Sequence, residues 1–321
     1  MVDVTKTMKI FSGRSNPDLA DRIARYCETE LGQIDIKTFA NGEIYARYKE
    51  SVRGCDVFVV QSVAGEVNNH LMEMLIMADA AKRASARTVT AVLTHYGYSR
   101  QDKKSASREP ITAKLVANLM TVAGFDRTIA IDLHQGQIQG FFDTPVNHLT
   151  ALPIFADYFL DKNLDNICVV TPDVGRAKAA KKLADLMDAD LAIMSKTRPA
   201  HNVSEVTSVI GDVAGKTCIV NDDIIDTGGS VVGGVRALKE AGAGDVYVCA
   251  THGLFSGKAY DLLEGDADIK EIVVCDTVAV PADRQNGKIR VATVAPLLGR
   301  AVLNVFNESS VSELFDPDFQ I

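Results

Sequence analysis

The sequence predicts an α/β protein whose mostly parallel sheets are flanked by helices, arranged in two domains. Three observations carry that expectation. Short apolar runs of strand character alternate with segments of helical spacing along the whole chain. At 321 residues the chain is long for a single hydrophobic core. Two segments, Thr94–Ser99 and Thr251–Ser256, echo each other directly after strand-like runs, as a duplicated domain would leave. The division is expected near Leu149–Pro153, between domains 1–150 and 151–303, without a low-complexity linker.

In chain order, Val57–Gln61 is an apolar strand. Asn69–Arg83 follows with Leu71, Met74, Leu75 and Ala78 at helical spacing. Thr88–Leu93 is the next strand, Ile111–Ala123 a helix and Thr128–Ile131 a strand. The second half repeats the alternation with Ile167–Val170, a helix at Ala177–Met187, Leu191–Met194 and Thr217–Val220. A helix after Ser230, closed by Gly242, and the strand Val246–Ala250 complete it.

Hydrophobic content of 47% and charged content of 24% are ordinary for a soluble globular protein. A net charge of −8 argues against nonspecific binding to nucleic acid or an anionic membrane, yet leaves room for a local basic site. No apolar run approaches the ~20 residues that span a bilayer. Met1–Lys6 has no apolar leader region, so the expected location is the cytoplasm. The six cysteines are widely spaced, with no Cys-x-x-Cys, and several lie in strand-like runs. Buried reduced thiols account for them better than disulfides or zinc.

The chemistry concentrates in Cys218–Ser230. An apolar strand ends in two adjacent acids, Asp222 and Asp223. Asp226, Thr227, Gly228, Gly229 and Ser230 follow as a tight loop that opens a helix. Glycines let backbone N–H groups approach a phosphate, hydroxyls add donors, and a helix start favours negative charge. Carboxylates repel phosphate, so Asp222 and Asp223 need other partners, either ribose hydroxyls or Mg²⁺. A phosphorylated sugar satisfies both halves. The plain alternative is a crossover turn, which a lone Gly-Gly would favour.

Other segments sit where α/β proteins bind ligands, at the C-terminal ends of strands. Asp132 and His134 follow a strand, and alternation would put them on one side. The basic run Arg100, Gln101, Asp102, Lys103, Lys104 and Arg108 lies between a strand and Pro110, which suits a polyphosphate loop. Asp173, in Thr171–Lys178, follows a strand and opens a helix. Lys196 and Arg198 lead into a polar, irregular stretch, Ala200–Val209, that suits a mobile lid or an ordinary hairpin equally. Phe39–Glu43 contains Asn41-Gly42, a strong hairpin signal that by itself demands no function.

Asp222–Ser230 resembles the 5-phosphoribosyl 1-diphosphate motif of the type I phosphoribosyltransferase fold. Together with Lys9–Gly13, Phe39–Glu43, Glu50–Gly54, Tyr98–Lys103, Asp132–His134, Gln137–Asp143, Thr171–Asp173 and Lys196–Arg198, the whole chain resembles the ribose-phosphate diphosphokinase family. That resemblance implies two type I phosphoribosyltransferase-like domains, with C-terminal residues 304–321 joining the first, and a homo-oligomer, a hexamer built from dimers. It implies Mg²⁺-dependent transfer of the β,γ-diphosphoryl group of ATP to O1 of ribose 5-phosphate, releasing AMP. Carried over by position, Asp226–Ser230 hold the 5-phosphate, while Asp222, Asp223 and Arg198 serve the sugar. Arg100, Gln101, Asp102 and Lys103 contact ATP, and Phe39, Asn41, Gly42 and Glu43 form its adenine loop. His134 and Asp173 contact Mg²⁺, and Lys196 and Arg198 are the catalytic cations. Ser51, Arg53, Arg108, Gln139, Ser310 and Ser312 resemble the allosteric site of the class that phosphate activates and ADP inhibits.

Some positions depart from the family. Arg176 stands where a second glycine is frequent, Ala179 where a basic residue is common, and Ser230 where Thr is usual. Thr197 replaces a charged residue, and Asn147-His148 an Asp-Asn pair. A phosphoribosyltransferase would share only the sugar motif, and a non-catalytic regulatory homologue would have lost the catalytic positions. Neither alternative fits the doubled length and the intact Lys196, Arg198, His134, Asp222 and Asp223.

Overall fold

A computed structural model describes residues 6–200, 203–285 and 287–315; at 196–200, 203–207, 313 and 315 the description is of the backbone. The chain divides into two units. Unit 1 comprises 1–150, 277–279 and 295–315 within the described range, and unit 2 comprises 151–276 and 280–294.

In unit 1, strands β1 (Met8–Ser12), β4 (Asp56–Ser62), β5 (Thr88–His95), β6 (Arg127–Ile131) and β7 (Val146–Leu149) form one sheet in that order. Every pairing is parallel, for example Ile10 with Phe58 and Val59 with Ala91. Strands β2 (Ile34–Thr38) and β3 (Ile44–Tyr48) make a separate antiparallel hairpin. It lies on α2 (Val67–Arg83), where Tyr48 Oη donates to Met77 O at 2.9 Å. Helices α1 (Pro17–Tyr26) and α3 (Thr112–Ala123) complete the unit with α8 (Ala295–Phe306), which packs on α1. Asn16 caps α1 through its side chain and Pro17 opens it, a favourable helix start.

Unit 2 contains α4 (Leu152–Leu160), β8 (Ile167–Thr171), α5 (Ala177–Leu186), β9 (Asp190–Ala200) and β10 (Val203–Ile210). It continues with β11 (Thr217–Ile225), α6 (Gly229–Glu240), β12 (Val246–Gly253), α7 (Ala259–Gly265), β13 (Ile269–Cys275) and β14 (Ile289–Ala292). Its sheet runs β10-β9-β8-β11-β12-β13-β14, parallel except for the edge strand β10.

The parallel order β8-β11-β12-β13-β14 repeats the order β1-β4-β5-β6-β7. Each unit inserts a hairpin between its first two parallel strands. The echoing segments Thr94–Ser99 and Thr251–Ser256 fall at the ends of β5 and β12, which hold the same place in the two sheets. Strands β4 and β12 are buried along their whole length, as expected where a parallel sheet is covered on both faces. Phe11, Val59, Met74, Met77, Leu93 and Met120 fill the core of unit 1, and Val170, Met194, Val220, Val235, Leu238 and Ile272 that of unit 2. All six cysteines are buried free thiols. Among the described residues no helix is long and apolar enough to cross a membrane.

Candidate active site

In unit 2 the apolar pattern of β11 stops at Val220, but the strand runs on to Ile225. Asp222 and Asp223 therefore lie inside the strand rather than after it. Pairing with β12 keeps this polar segment extended, through Asp222 with Ala250 and Ile225 with Gly253. The two carboxylates nevertheless come close enough for one guanidinium, that of Arg176, to face both; the Asp223 side chain is 3% exposed and that of Asp222 21%. The Asp223 N–H donates to Asp222 Oδ1 at 2.9 Å. Burial, then the charge of Asp223, pushes the Asp222 carboxyl well above the usual range, and Arg176 opposes that rise.

Beyond Ile225 the chain turns tightly. Ser256 N–H donates to Asp226 O at 2.9 Å, and Gly228 adopts φ 80°. A side chain at Gly228 would be strained by that backbone and would lie 3.0 Å from Leu263. Helix α6 begins at Gly229, and its N-cap Gly228 supplies no side-chain cap to the first N–H groups. A Cβ at Gly229 would meet nothing within 4 Å. The space over this helix start is open, as a phosphate cradle requires.

Asp173 follows β8, the neighbour of β11. Its carboxylate accepts the Arg176 N–H at 3.2 Å, and Thr171 Oγ1 donates to its carbonyl at 2.9 Å. Arg176 reaches from this turn to β11. No sequence pattern announces that contact, because Arg176 and Asp222 are 46 positions apart and only the pairing of β8 with β11 brings them together. Lys196 and Arg198 fall on β9, the next strand outward, with side chains outside the described part. Within the stretch Ala200–Val209, the described residues from Val203 on are the return strand β10, paired with β9 through two register shifts, so they form a hairpin rather than an irregular loop. Residues His201 and Asn202 lie outside the described residues.

In unit 1, the basic segment and Asp132–His134 follow β5 and β6, adjacent parallel strands, so their ends lie side by side. Arg100, Gln101 and Lys103 are exposed and Asp102 is buried. Gln101 Oε1 accepts the Thr112 hydroxyl at 2.6 Å, which ties the segment to the start of α3. The expectation that strand alternation sets Asp132 and His134 on one side is corrected: β6 ends at Ile131 and Asp132 takes φ 38°. His148 Nε2 accepts the Leu133 N–H at 2.9 Å, and burial lowers the His148 pKa, which suits a neutral acceptor.

Phe39, Asn41, Gly42 and Glu43 form the exposed tip of the β2–β3 hairpin. Asn41 Oδ1 accepts the Glu43 N–H at 3.1 Å and Gly42 adopts φ 90°. Ser51 and Arg53 share one turn, with a 3.4 Å bond from Arg53 N–H to Ser51 Oγ. Ser310 and Ser312 share another, with a 3.1 Å bond from Ser312 N–H to Ser310 Oγ. Arg108 is exposed at φ 70°, and Gln139 Nε2 donates to Gly136 O at 2.9 Å.

Two acids ahead of a glycine and hydroxyl cradle, on a parallel sheet of this order, define an α/β transferase of phosphorylated sugars. The family model for the N-terminal domain of ribose phosphate pyrophosphokinase matches residues 8–124, and that for the phosphoribosyl synthetase-associated domain matches 185–316. The chain is 48% identical over 313 residues to the ribose-phosphate pyrophosphokinase of Bacillus cereus, covering 98% of each chain. It is 50% identical over 316 residues to that of Bacillus caldolyticus, covering 98% of this chain and 100% of that one. The crystal structure of phosphoribosylpyrophosphate synthetase from Mycobacterium smegmatis matches 95% of this chain and all of that one, with a TM-score of 0.89 at 45% identity. The chain belongs to the ribose-phosphate pyrophosphokinase family.

Proposed function

We propose that the chain transfers the β,γ-diphosphoryl group of ATP to O1 of ribose 5-phosphate, releasing AMP and forming 5-phospho-α-D-ribose 1-diphosphate for nucleotide biosynthesis. The observation that carries this reading is the glycine-opened start of α6, without a side-chain cap, directly after Asp222 and Asp223. Asp226–Ser230 take the 5-phosphate, and the two carboxylates accept the ribose hydroxyls. Arg100–Lys103 receive the polyphosphate of ATP, and Phe39, Asn41, Gly42 and Glu43 its adenine. The O1 lone pair attacks the β-phosphorus, the bond from that phosphorus to the α,β-bridging oxygen breaks, and AMP leaves with that oxygen. The O1 proton passes to solvent. Such a transfer needs in-line positioning and charge neutralisation more than covalent help. Lys196 and Arg198 meet charge growing on the bridging oxygen.

Among the described residues no cluster of three or more potential ligands could cage a metal ion. In this reading Mg²⁺ is held chiefly by substrate phosphates, and Asp173 and His134 each offer a protein contact. Bound there, Mg²⁺ supplies neutralisation of phosphate charge. The reading includes a cytoplasmic location, activation by phosphate and inhibition by ADP through Ser51, Arg53, Arg108, Gln139, Ser310 and Ser312. It includes assembly as a hexamer of dimers. Ile111, Leu115, Leu119 and Val122 stand exposed along α3, Val122 at 86%, an apolar stripe that supports association. The test is incubation with ATP, Mg²⁺ and ribose 5-phosphate. AMP and diphosphorylated sugar should appear in equal amounts; ADP as the nucleotide product would refute the reaction.

A further inference from the structure

Arg176 ends a short turn whose two ends are tied by the bonds of Thr171 and Asp173. Its guanidinium crosses to β11 and faces both acids there. Nε lies 3.5 Å from Asp222 Oδ1 and Nη1 3.3 Å from Asp223 Oδ1. The Arg176 side chain is only 13% exposed. Two adjacent carboxylates in so dry a place repel each other, and the guanidinium between them opposes the protonation that burial and this repulsion favour at Asp222. A protonated carboxyl donates where the sugar needs an acceptor. Guanidinium suits the gap because its donors lie in one rigid plane and can serve two acceptors at once; an ammonium is a point charge.

We propose that Arg176 is a positioning residue of the sugar site, bridging Asp222 and Asp223 so that both stand ready to accept vicinal hydroxyls of ribose 5-phosphate. The inference rests on the reading that these two acids face the sugar. The bridge exists before the sugar arrives, so it reduces the ordering that binding must supply. It acts alike on bound sugar and transition state, and its loss is felt in KM rather than kcat.

The test is steady-state kinetics on Arg176→Gln, Arg176→Lys, Asp222→Asn, Asp223→Asn and the double variant Arg176→Gln/Asp222→Asn, with folding checked by thermal melts. Arg176→Gln should raise KM for ribose 5-phosphate by about tenfold, within the range of coupling between residues in direct contact. Its kcat and its KM for ATP should stay within about twofold of wild type, since uniform binding alone is lost. Arg176→Lys should fall between the two, and the double variant should lose less than the product of its single effects, because the residues share one contact. If Arg176→Gln does not fold, the intermediate KM of Arg176→Lys carries the test.

A fall in kcat, or a rise in KM for ATP with sugar KM unchanged, would overturn the assignment. If Asp222→Asn and Asp223→Asn raise the sugar KM and neither Arg176 variant does, the bridge is wrong while the sugar site stands. If neither Asn variant moves the sugar KM, the sugar site itself is misplaced and the bridge falls with it.

Discussion

Unit 1 leaves its second parallel strand through Val63–Glu66 into α2; unit 2 leaves the equivalent strand through Asp226–Gly228 into α6. Both turns place a glycine in the left-handed region, Gly65 at φ 63° and Gly228 at φ 80°. The backbone course is shared, and the side chains decide the chemistry. In unit 1 the turn is apolar and buried at Val63 and Ala64, and Glu66 occupies the N-cap of α2, where its charge repels an anion. In unit 2 the same place carries Asp226, Thr227, Gly229 and Ser230; the N-cap is Gly228, and the one carboxylate of the turn lies two positions before it. The hairpins differ in a similar way. That of unit 1 forms its own small sheet with an exposed tip, whereas that of unit 2 extends the main sheet. A duplicated topology thus supplies two frames, and a few residues at each strand end assign them different work.

The largest effect that tests this contrast lies in the unit 2 hairpin. Lys196→Ala or Arg198→Ala should lower kcat by about 10²–10³, the usual loss on removing one transition-state electrostatic contact. The KM for ribose 5-phosphate should change only modestly. Near-wild-type kcat in both would remove this hairpin from the chemistry.

Next come the two turns. Gly229→Val should raise the KM for ribose 5-phosphate by about tenfold or more, since backbone donors to a charged phosphate are blocked. Its melting temperature should hardly move, because among the described residues nothing beyond its own turn of helix lies within 4 Å of the new Cβ. Gly65→Ala in unit 1 should do the reverse, costing roughly 1 kcal/mol through its positive φ and leaving the sugar KM alone. Equal effects on sugar affinity would erase the distinction between the units.

A smaller signal tests whether the unit 1 hairpin serves a site on another subunit. Inactive Glu43→Lys and inactive Arg198→Ala, remixed after dissociation, should regain partial activity that neither shows alone. A fully active monomer by light scattering at assay concentration would defeat this.

The smallest effect is in stability. Burial raises the Asp222 carboxyl above its unfolded value, so native stability is lost as pH rises through the folded value. Asp222→Asn removes that cost. It should raise Tm by about a few degrees near pH 8, with the gain shrinking as pH falls toward the ordinary Asp range of about 4. Melts at several pH values check the sign; a gain that grows on acidification would contradict it.

The α/β alternation was legible because buried parallel strands carry short apolar runs, Val57–Val60 in β4, Ala91–Leu93 in β5 and Ile167–Val170 in β8. Legibility failed where pairing overrides pattern. The far end of β11 is polar and is kept extended by its neighbour β12. Strand β10 has no apolar period and is defined by its partner β9. Asp132 leaves the strand through a backbone angle that its residue type permits but does not announce. In the site, the loop Asp226–Ser230 was readable because small residues and helix start are contiguous. Arg176 was not, because its contacts arise only when β8 and β11 lie side by side.

Burial of the cysteines has a consequence for following the chain's opening. Burial pushes the thiols of Cys27 and Cys249 up to about 12, so at neutral pH they offer almost no thiolate to an alkylating reagent. Cys27 and Cys55 belong to unit 1, and Cys168, Cys218, Cys249 and Cys275 to unit 2. Pulse alkylation followed by peptide mapping would therefore time the exposure of each half separately. The chain carries, without any added label, a record of which half lets go first.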